Sequence, residues 1–78
     1  MLEIQKFCGT FRKRTLRKTL RDIELQQGVN IKTISAFENG RSNNIEHLAI
    51  YVKACDNQVQ RIYFTESIQS ILLEVGND

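Results

Sequence analysis

Residues 28–40 combine the signals of a short helix with an outer face rich in hydrogen-bond donors. Ile34 and Phe37 are three positions apart, so one side of such a helix is apolar. The other side chains are small or polar and point outward: Lys32, Thr33, Ser35, Ala36 and Asn39. Because ammonium and hydroxyl groups donate hydrogen bonds to base edges, a short helix with this outer face can enter the major groove of DNA.

Both ends of this helix carry sequence signals of their own. Asn30 is a good N-cap residue, because its side chain can accept a hydrogen bond from a backbone N–H of the first turn. Val29 precedes the cap and can pack against Ile34. Gly40 stands where a glycine commonly closes a helix. The sequence therefore predicts a helix of about two and a half turns between Asn30 and Gly40.

No other group of residues has the composition of a catalytic or metal site. Cys8 and Cys55 are far apart, and His47 has no cysteine, aspartate or second histidine near it. There is no Ser/Cys–His constellation, no set of paired carboxylates and no glycine-rich phosphate loop. We expect no enzymatic activity, no cofactor and no metal. The two cysteines are expected to be buried reduced thiols, with a disulfide as the alternative.

The charges divide the chain into a basic and an acidic part. Residues 1–21 contain seven Lys and Arg residues and one Glu, a net charge of +6. Residues 22–78 have a net charge of −4, and the whole chain has +2. We expect the basic part to face phosphates and the acidic part to lie away from DNA. The alternative is that the cations form an ordinary solvated face of one helix.

The length and hydropathy of the chain limit what it can be. Seventy-eight residues allow one domain with a thin hydrophobic core. No apolar run approaches the roughly 20 residues of a membrane span. No long apolar segment follows the first charged residues, as it would in a signal peptide. We therefore expect a cytoplasmic protein that does not enter a membrane.

The apolar spacing predicts an all-α fold whose first two helices lie before Gly28. Residues 2–17 repeat apolar or small side chains at helical spacing: Ile4, Phe7, Cys8, Phe11 and Thr15. Thr19 is the next N-cap residue, and Asp22 three positions later can complete a capping box. This second helix runs to about Gln27, and Gly28 ends it as a tight corner.

A fourth helix is predicted after the polar loop at residues 41–44. It runs from about Ile45 to Cys55, and the dipeptide Asp56-Asn57 breaks it. Its apolar residues are expected in the core: Leu48, Tyr51, Val52 and Cys55.

The remaining chain is predicted as a short fifth helix and a last segment. The fifth helix carries Val59, Ile62 and Tyr63. A strand over residues 59–65 is the alternative, because these residues are rich in β-branched and aromatic types. The last segment begins at Thr65 or Ser67, and the chain frays at residues 76–78.

The last segment carries an aliphatic stripe of Ile68, Ile71, Leu72 and Val75. The stripe either folds back to complete a small core or forms a dimer interface. Small DNA-binding proteins usually bind palindromic half-sites as two-fold dimers, which favours the dimer interface. We therefore divide the chain into a DNA-binding domain, residues 1–64, and a C-terminal apolar segment, residues 65–78.

Several runs of residues resemble the phage-repressor family of helix-turn-helix proteins, the Cro/C1 or Xre type. The matching runs are Thr19-Leu-Arg-Asp-Ile-Glu, Gly28-Val-Asn, Thr33-Ile-Ser, Phe37-Glu-Asn-Gly40 and the later stretch Ile45-Glu-His-Leu-Ala-Ile-Tyr-Val-Lys-Ala-Cys55. The chain departs from the pattern at Arg17-Lys18, where the family usually carries Gly-Leu. The resemblance implies a compact five- or six-helix domain, similar to lambda repressor, that binds operator DNA.

The resemblance also implies roles for individual residues. The positions that match base-reading residues are Ile31, Lys32, Thr33, Ser35 and Ala36. Thymine methyl groups are the expected partners of the apolar residues Ile31 and Ala36. The positions that match phosphate-contacting residues are Thr19, Asn39, Arg41, Asn43 and Asn44, and the N-cap residue Asn30 is added to this set. Glu38 matches a structural glutamate that pairs with an arginine of the first helix; Lys13, Arg14 and Arg17 are the candidate partners.

Two functions of different classes fit these features. The first is a sequence-specific transcription regulator, repressor-like and homodimeric, that binds a double-stranded DNA operator. The second is a protein-binding module, such as an antitoxin or antirepressor, whose C-terminal segment holds a partner protein. The aliphatic stripe is the feature that would serve the second role.

Overall fold

The computed structural model describes residues 2–76, which are helical almost throughout. The helices are α1 (Leu2–Thr10), α2 (Leu20–Gln27), α3 (Ile31–Glu38), α4 (Leu48–Ala54) and α5 (Gln58–Gly76), with a π-helical segment at Phe11–Leu16 and a 3-10 turn at Ile45–His47. No strand occurs within residues 2–76, so the all-α prediction is confirmed and the strand alternative for residues 59–65 is wrong. Of the residues predicted to fray, Gly76 belongs to α5, and 77 and 78 lie outside the described part.

The first helix begins as predicted, but its second half has a wider turn. A π-helical turn accommodates one extra residue, and this shifts which side chain faces the core. Leu16 is 5% exposed, whereas Thr15, the position that regular spacing placed on the apolar face, is half-buried. The segment ends at Arg17, whose φ of 55° lies in the left-handed region.

The helix ends around α2 and α3 follow the sequence signals. Thr19 Oγ1 accepts a hydrogen bond from Asp22 N–H at 3.0 Å, and Thr19 N–H donates to Asp22 Oδ2 at 2.8 Å, which completes the predicted capping box. Asn30 Oδ1 accepts from the backbone N–H two residues later at 2.7 Å. Gly28 and Gly40 have φ values of 72° and 80°, the left-handed conformation that lets glycine close a helix. These four predictions are confirmed.

One hydrophobic core receives side chains from every helix. Its buried members are Ile4, Cys8, Phe11, Leu16, Ile23, Ile34, Phe37, Ile50, Tyr51, Ala54, Cys55, Phe64 and Ile68. Phe64 lies at its centre, with ring centroids 4.8 Å from Phe11 and 5.9 Å from Tyr51. The Cα radius of gyration is 12.0 Å, close to the roughly 11.5 Å expected for a compact chain of this length. The core therefore holds α2 and α3 against the rest of the domain.

Both cysteines are buried and free, as expected, and no disulfide joins them. Cys8 has no exposed surface, and this burial raises the pKa of its thiol to about 12. The thiol therefore stays protonated at neutral pH and serves as a small core side chain.

The fourth helix packs through most of its predicted face, since Tyr51 and Cys55 are in the core and Leu48 packs against it. It begins as a 3-10 turn and becomes α-helical only at Leu48, and its buried face then follows Ile50, Tyr51 and Ala54. Val52 lies to the side of that face and is 36% exposed, so its predicted burial is wrong.

Residues 58–76 form one continuous helix, and the break predicted at Thr65 or Ser67 is absent. Phe64 and Ile68 are one helical turn apart and both enter the core, which holds the helix straight through this region. The boundary placed at residues 64 and 65 thus lies inside α5. No helix within residues 2–76 has the length and apolar character needed to cross a membrane.

The aliphatic stripe of α5 is divided between the core and the surface. Ile68 is 8% exposed and Ile71 packs against the core, whereas Leu72 and Val75 are 49% and 47% exposed. The assignment of Ile68 to a dimer interface is therefore wrong, because this side chain completes the core of its own chain. A helix of 19 residues is about 28 Å long, so the end of α5 extends past the core.

Candidate nucleic-acid interface

The outer face of α3 presents the small and polar residues that the sequence singled out. Lys32, Ser35, Ala36 and Asn39 follow one another at i, i+3, i+4 and i+7, the spacing of a single helix face. Ile34 and Phe37 point the other way and are 1% and 0% exposed. Ile31 and Thr33 are half-buried at the two edges of the outer face. All five predicted base-reading residues therefore lie on or beside one surface.

The polar groups on this face differ in their freedom to bind a ligand. Lys32 is exposed, and no carboxylate within residues 2–76 lies within 4.0 Å of its ammonium group. Asn39 Nδ2 donates to the Ser35 carbonyl at 2.8 Å and to Ser35 Oγ at 3.2 Å. Ser35 thus keeps its hydroxyl proton for a further acceptor, while the amide of Asn39 is held along the helix.

The residues predicted to contact phosphates are all exposed: Thr19, Asn30, Asn39, Arg41, Asn43 and Asn44. Asn44 Oδ1 accepts from Glu46 N–H at 3.1 Å, and Asn43 Oδ1 accepts from Gln5 Nε2 at 3.4 Å. Asn30 likewise uses its side-chain oxygen as a cap. The amide nitrogens of these three asparagines remain as donors for an anion.

The start of α2 is less open to an anion than the sequence suggested. Asp22 accepts the N–H of Thr19, and this hydrogen bond holds the pKa of the Asp22 carboxyl below its usual value. Asp22 is therefore ionised at neutral pH beside a predicted phosphate contact. Two of the N–H groups in this first turn are satisfied within the capping box. Only the backbone N–H groups of Leu20 and Arg21 remain available to an anion.

Glu38 pairs with Arg12, so the candidate partners Lys13, Arg14 and Arg17 were wrong. Arg12 Nε and Nη2 donate to Glu38 Oε2 and Oε1, both at 2.8 Å, and the two side chains are 6% and 9% exposed. Tyr51 also donates to Glu38 Oε2 at 2.8 Å. Arg12 lies one regular helical turn after the buried Cys8 and points inward, whereas the three predicted cations are exposed.

The network of Glu38, Arg12 and Tyr51 connects α3 with the π-helical segment, with α4 and with the residues before α2. Besides Glu38, Arg12 binds the Lys18 carbonyl through Nη1 at 3.0 Å, which fixes the chain just before α2. The bond to Glu38 raises the pKa of the Arg12 guanidinium above its usual value. A Cβ on Gly9 would stand 3.1 Å from Glu38 Oε1, so glycine leaves room for the carboxylate. The network fixes the end of α3 relative to the first helix.

The loop after α3 is anchored by a residue that sequence reasoning did not single out. Gln5 is completely buried, and its Nε2 donates to the Ser42 carbonyl as well as to Asn43. The start of the loop is fixed by Arg41 N–H, which donates to the Ala36 carbonyl at 2.8 Å. The exposed Arg41 side chain therefore leaves the fold at a defined point next to α3.

Of the three functional residues that sequence reasoning missed, one has a signal in the sequence. Arg12 is four residues after Cys8, so regular helical spacing from the buried cysteine reaches it. Tyr51 was expected in the core, but nothing in its local sequence indicates a bond to Glu38. Gln5 has no sequence signal that distinguishes it from a surface glutamine.

Comparisons with protein-family models, with curated proteins and with solved structures found no match to this chain. Within residues 2–76, no three His, Cys, Asp or Glu side chains lie close enough together to hold a metal ion.

If the chain binds DNA, as the sequence predicts, replacing Arg41 with Ala should weaken binding to all DNA sequences alike. Its guanidinium is exposed beside α3, where it would meet a phosphate rather than a base edge. The slope of log K against log salt should decrease in magnitude by about 1, and Arg41→Lys should retain the slope. A salt titration on random duplex measures this, and an unchanged slope for the alanine variant would exclude Arg41 from the phosphate contacts.

Proposed function

We propose that this chain is a sequence-specific, helix-turn-helix DNA-binding protein that regulates transcription, with α3 as the helix that enters the major groove. The observation that carries the proposal is the outer face of α3, where Lys32, Ser35, Ala36 and Asn39 lie together. The proposal includes the likeness to the Cro/C1 or Xre type that the sequence suggested.

The dimensions and the support of α3 suit this role. An α-helix with its side chains is about 10–12 Å across, and the major groove is about 12 Å wide. Small side chains at Ser35 and Ala36 allow the helix backbone to approach base edges closely. Ile34, Phe37 and Glu38 hold the opposite side of α3 in the core and in the Arg12 network. Such a fixed helix keeps its donors in position for binding.

Lys32 is the residue that best tests base reading. Its ammonium group can donate to O6 or N7 of guanine. Lys32→Ala should weaken binding to a selected operator by about 1–3 kcal/mol and leave binding to random duplex less affected. Binding-site selection followed by titration of the selected and random duplexes measures both values.

Lys53→Ala is the matched control for this experiment. Lys53 is an exposed lysine of α4 and is not part of the outer face of α3, so its removal should not change sequence preference. Equal losses on selected and random DNA for Lys32→Ala would mean that Lys32 contacts only a phosphate. Absence of any DNA binding by the unmodified protein would contradict the proposed function itself.

A homodimer is part of the proposal, and the exposed end of α5 is its proposed interface. Leu72 and Val75 continue the face of the helix that is buried at Ile68, but about half of each side chain remains exposed. A second copy that packs against this end would bury both. The same surface is the specific observation that supports the second candidate function, a module whose C-terminal helix holds a different partner protein.

A further inference from the structure

A depression of about 640 Å³ opens beside the first residue of α3. Its lining comes from the π-helical segment, from the start of α2 and from Ile31 of α3. Five cations contribute to this lining: Arg12, Lys13, Arg17, Lys18 and Arg21. A second depression of about 510 Å³ adjoins it and is lined by Lys13, Arg14 and Arg17. The positive charge of the N-terminal part of the chain is thus concentrated next to the proposed reader helix.

Not all of these cations are available to a ligand. Arg12, Lys18 and Arg21 have carboxylate partners at 2.8, 2.9 and 4.0 Å, namely Glu38, Asp56 and Glu24. By contrast, the exposed cations Lys13, Arg14 and Arg17 have no carboxylate within 4.0 Å in residues 2–76. These three residues, which we call the basic cradle, carry three positive charges on the surface that no carboxylate of the described residues pairs with.

The backbone at Arg17 is unusual for the residue it carries. Its φ of 55° makes it the one non-glycine residue with positive φ in the described part of the chain. An L-residue in this conformation is strained because its Cβ approaches the backbone, and glycine would avoid that strain. The Arg17 side chain makes no hydrogen bond or ion pair in residues 2–76 that would offset the strain.

We propose that the basic cradle binds the phosphodiester backbone of DNA outside the groove that α3 enters, and that Arg17 keeps a cation at a position where glycine would be more stable. This inference rests on the proposed function, since the shared depression places the cradle beside Ile31 of α3. A strand that flanks the groove then meets Lys13, Arg14 and Arg17. The contact is independent of sequence, because it is made to phosphates alone.

Two substitutions at Arg17 separate binding from strain. Arg17→Gln removes the charge and retains the strained backbone, whereas Arg17→Gly removes both. On random 20-base-pair duplex, both variants should show a slope of log K against log salt smaller by about 1, and affinity lower by about 5- to 10-fold at 0.1 M salt. Only Arg17→Gly should raise the melting temperature, by about 2–6 °C.

Lys53→Gln is the matched control, since it removes one exposed positive charge far from the cradle in the sequence. It should leave both the slope and the melting temperature unchanged. Unchanged slopes for both Arg17 variants, in a protein that still binds DNA through Lys32, would overturn the cradle and leave the proposed function intact. A melting temperature of Arg17→Gly no higher than that of Arg17→Gln would overturn the stability part. Failure of the unmodified protein to bind any duplex would overturn both proposals.

Discussion

Glu38→Ala is expected to destabilise the fold by about 3–5 kcal/mol, because it leaves the buried Arg12 charge without its partner. The Tyr51 hydroxyl loses its acceptor at the same time. For a chain of this size, the loss corresponds to a fall in melting temperature of about 12 °C or more. Thermal unfolding followed by circular dichroism measures it directly. DNA binding should decline as well, because the carboxylate holds the end of α3 in place.

Two controls separate this network from a general effect of losing a carboxylate. Glu66 is exposed on α5, so Glu66→Ala should change stability by less than about 0.5 kcal/mol. Glu38→Gln keeps an oxygen acceptor at the site and should fall between the unmodified protein and Glu38→Ala. A Glu38→Ala variant with normal melting and normal DNA binding would show that the network does not orient α3.

Leu72→Glu is expected to give a folded but monomeric protein with operator affinity lower by at least about 100-fold. Because Leu72 is 49% exposed in the single chain, a carboxylate there can remain solvated and the fold should persist. In the proposed dimer the same carboxylate would be buried without a partner, which is unfavourable. One copy binds one half-site, so the gain from simultaneous binding to two half-sites is lost. Light scattering and circular dichroism distinguish these outcomes.

The stripe supplies its own controls. Ile68→Glu should unfold the chain, because this residue is 8% exposed and belongs to the core. Leu73 is 69% exposed and lies about 100° around α5 from Leu72, outside the aliphatic stripe, so Leu73→Glu should remain dimeric. A Leu72→Glu variant that stays dimeric would place the interface elsewhere. If the unmodified protein is a monomer that binds a different protein through Leu72 and Val75, the partner-binding function is the correct one.

Local signals in the sequence were sufficient for the helices around the candidate site. Thr19, Asp22, Gly28, Asn30 and Gly40 act within a few residues of their own positions, because a cap or a left-handed glycine depends on the adjacent backbone. The alternation of apolar and polar residues likewise identified the buried and outer sides of α3. These features do not depend on what packs against the helix, so they could be derived in advance.

Features that depend on distant parts of the chain were not accessible in this way. The π-helical turn moved Leu16 into the core and Thr15 partly outward, and Glu38 found its partner in Arg12, 26 residues away in the chain. The continuity of α5 depends on the packing of Phe64 and Ile68 in the same core. No local sequence pattern indicates this packing. Gln5 became an anchor only because the loop after α3 lies against it.

The sequence by itself determined the all-α class, the ends of α2 and α3 and the composition of the proposed reading face, because each follows from helical periodicity and from contacts between neighbouring residues. Tertiary structure alone decided which cations are neutralised and which remain free. Arg12, Lys18 and Arg21 have carboxylate partners, whereas Lys13, Arg14 and Arg17 have none within residues 2–76. The reason is that electrostatic pairing depends on distances of a few ångströms between side chains, and for Arg12 and Lys18 the partners are many residues away in the chain.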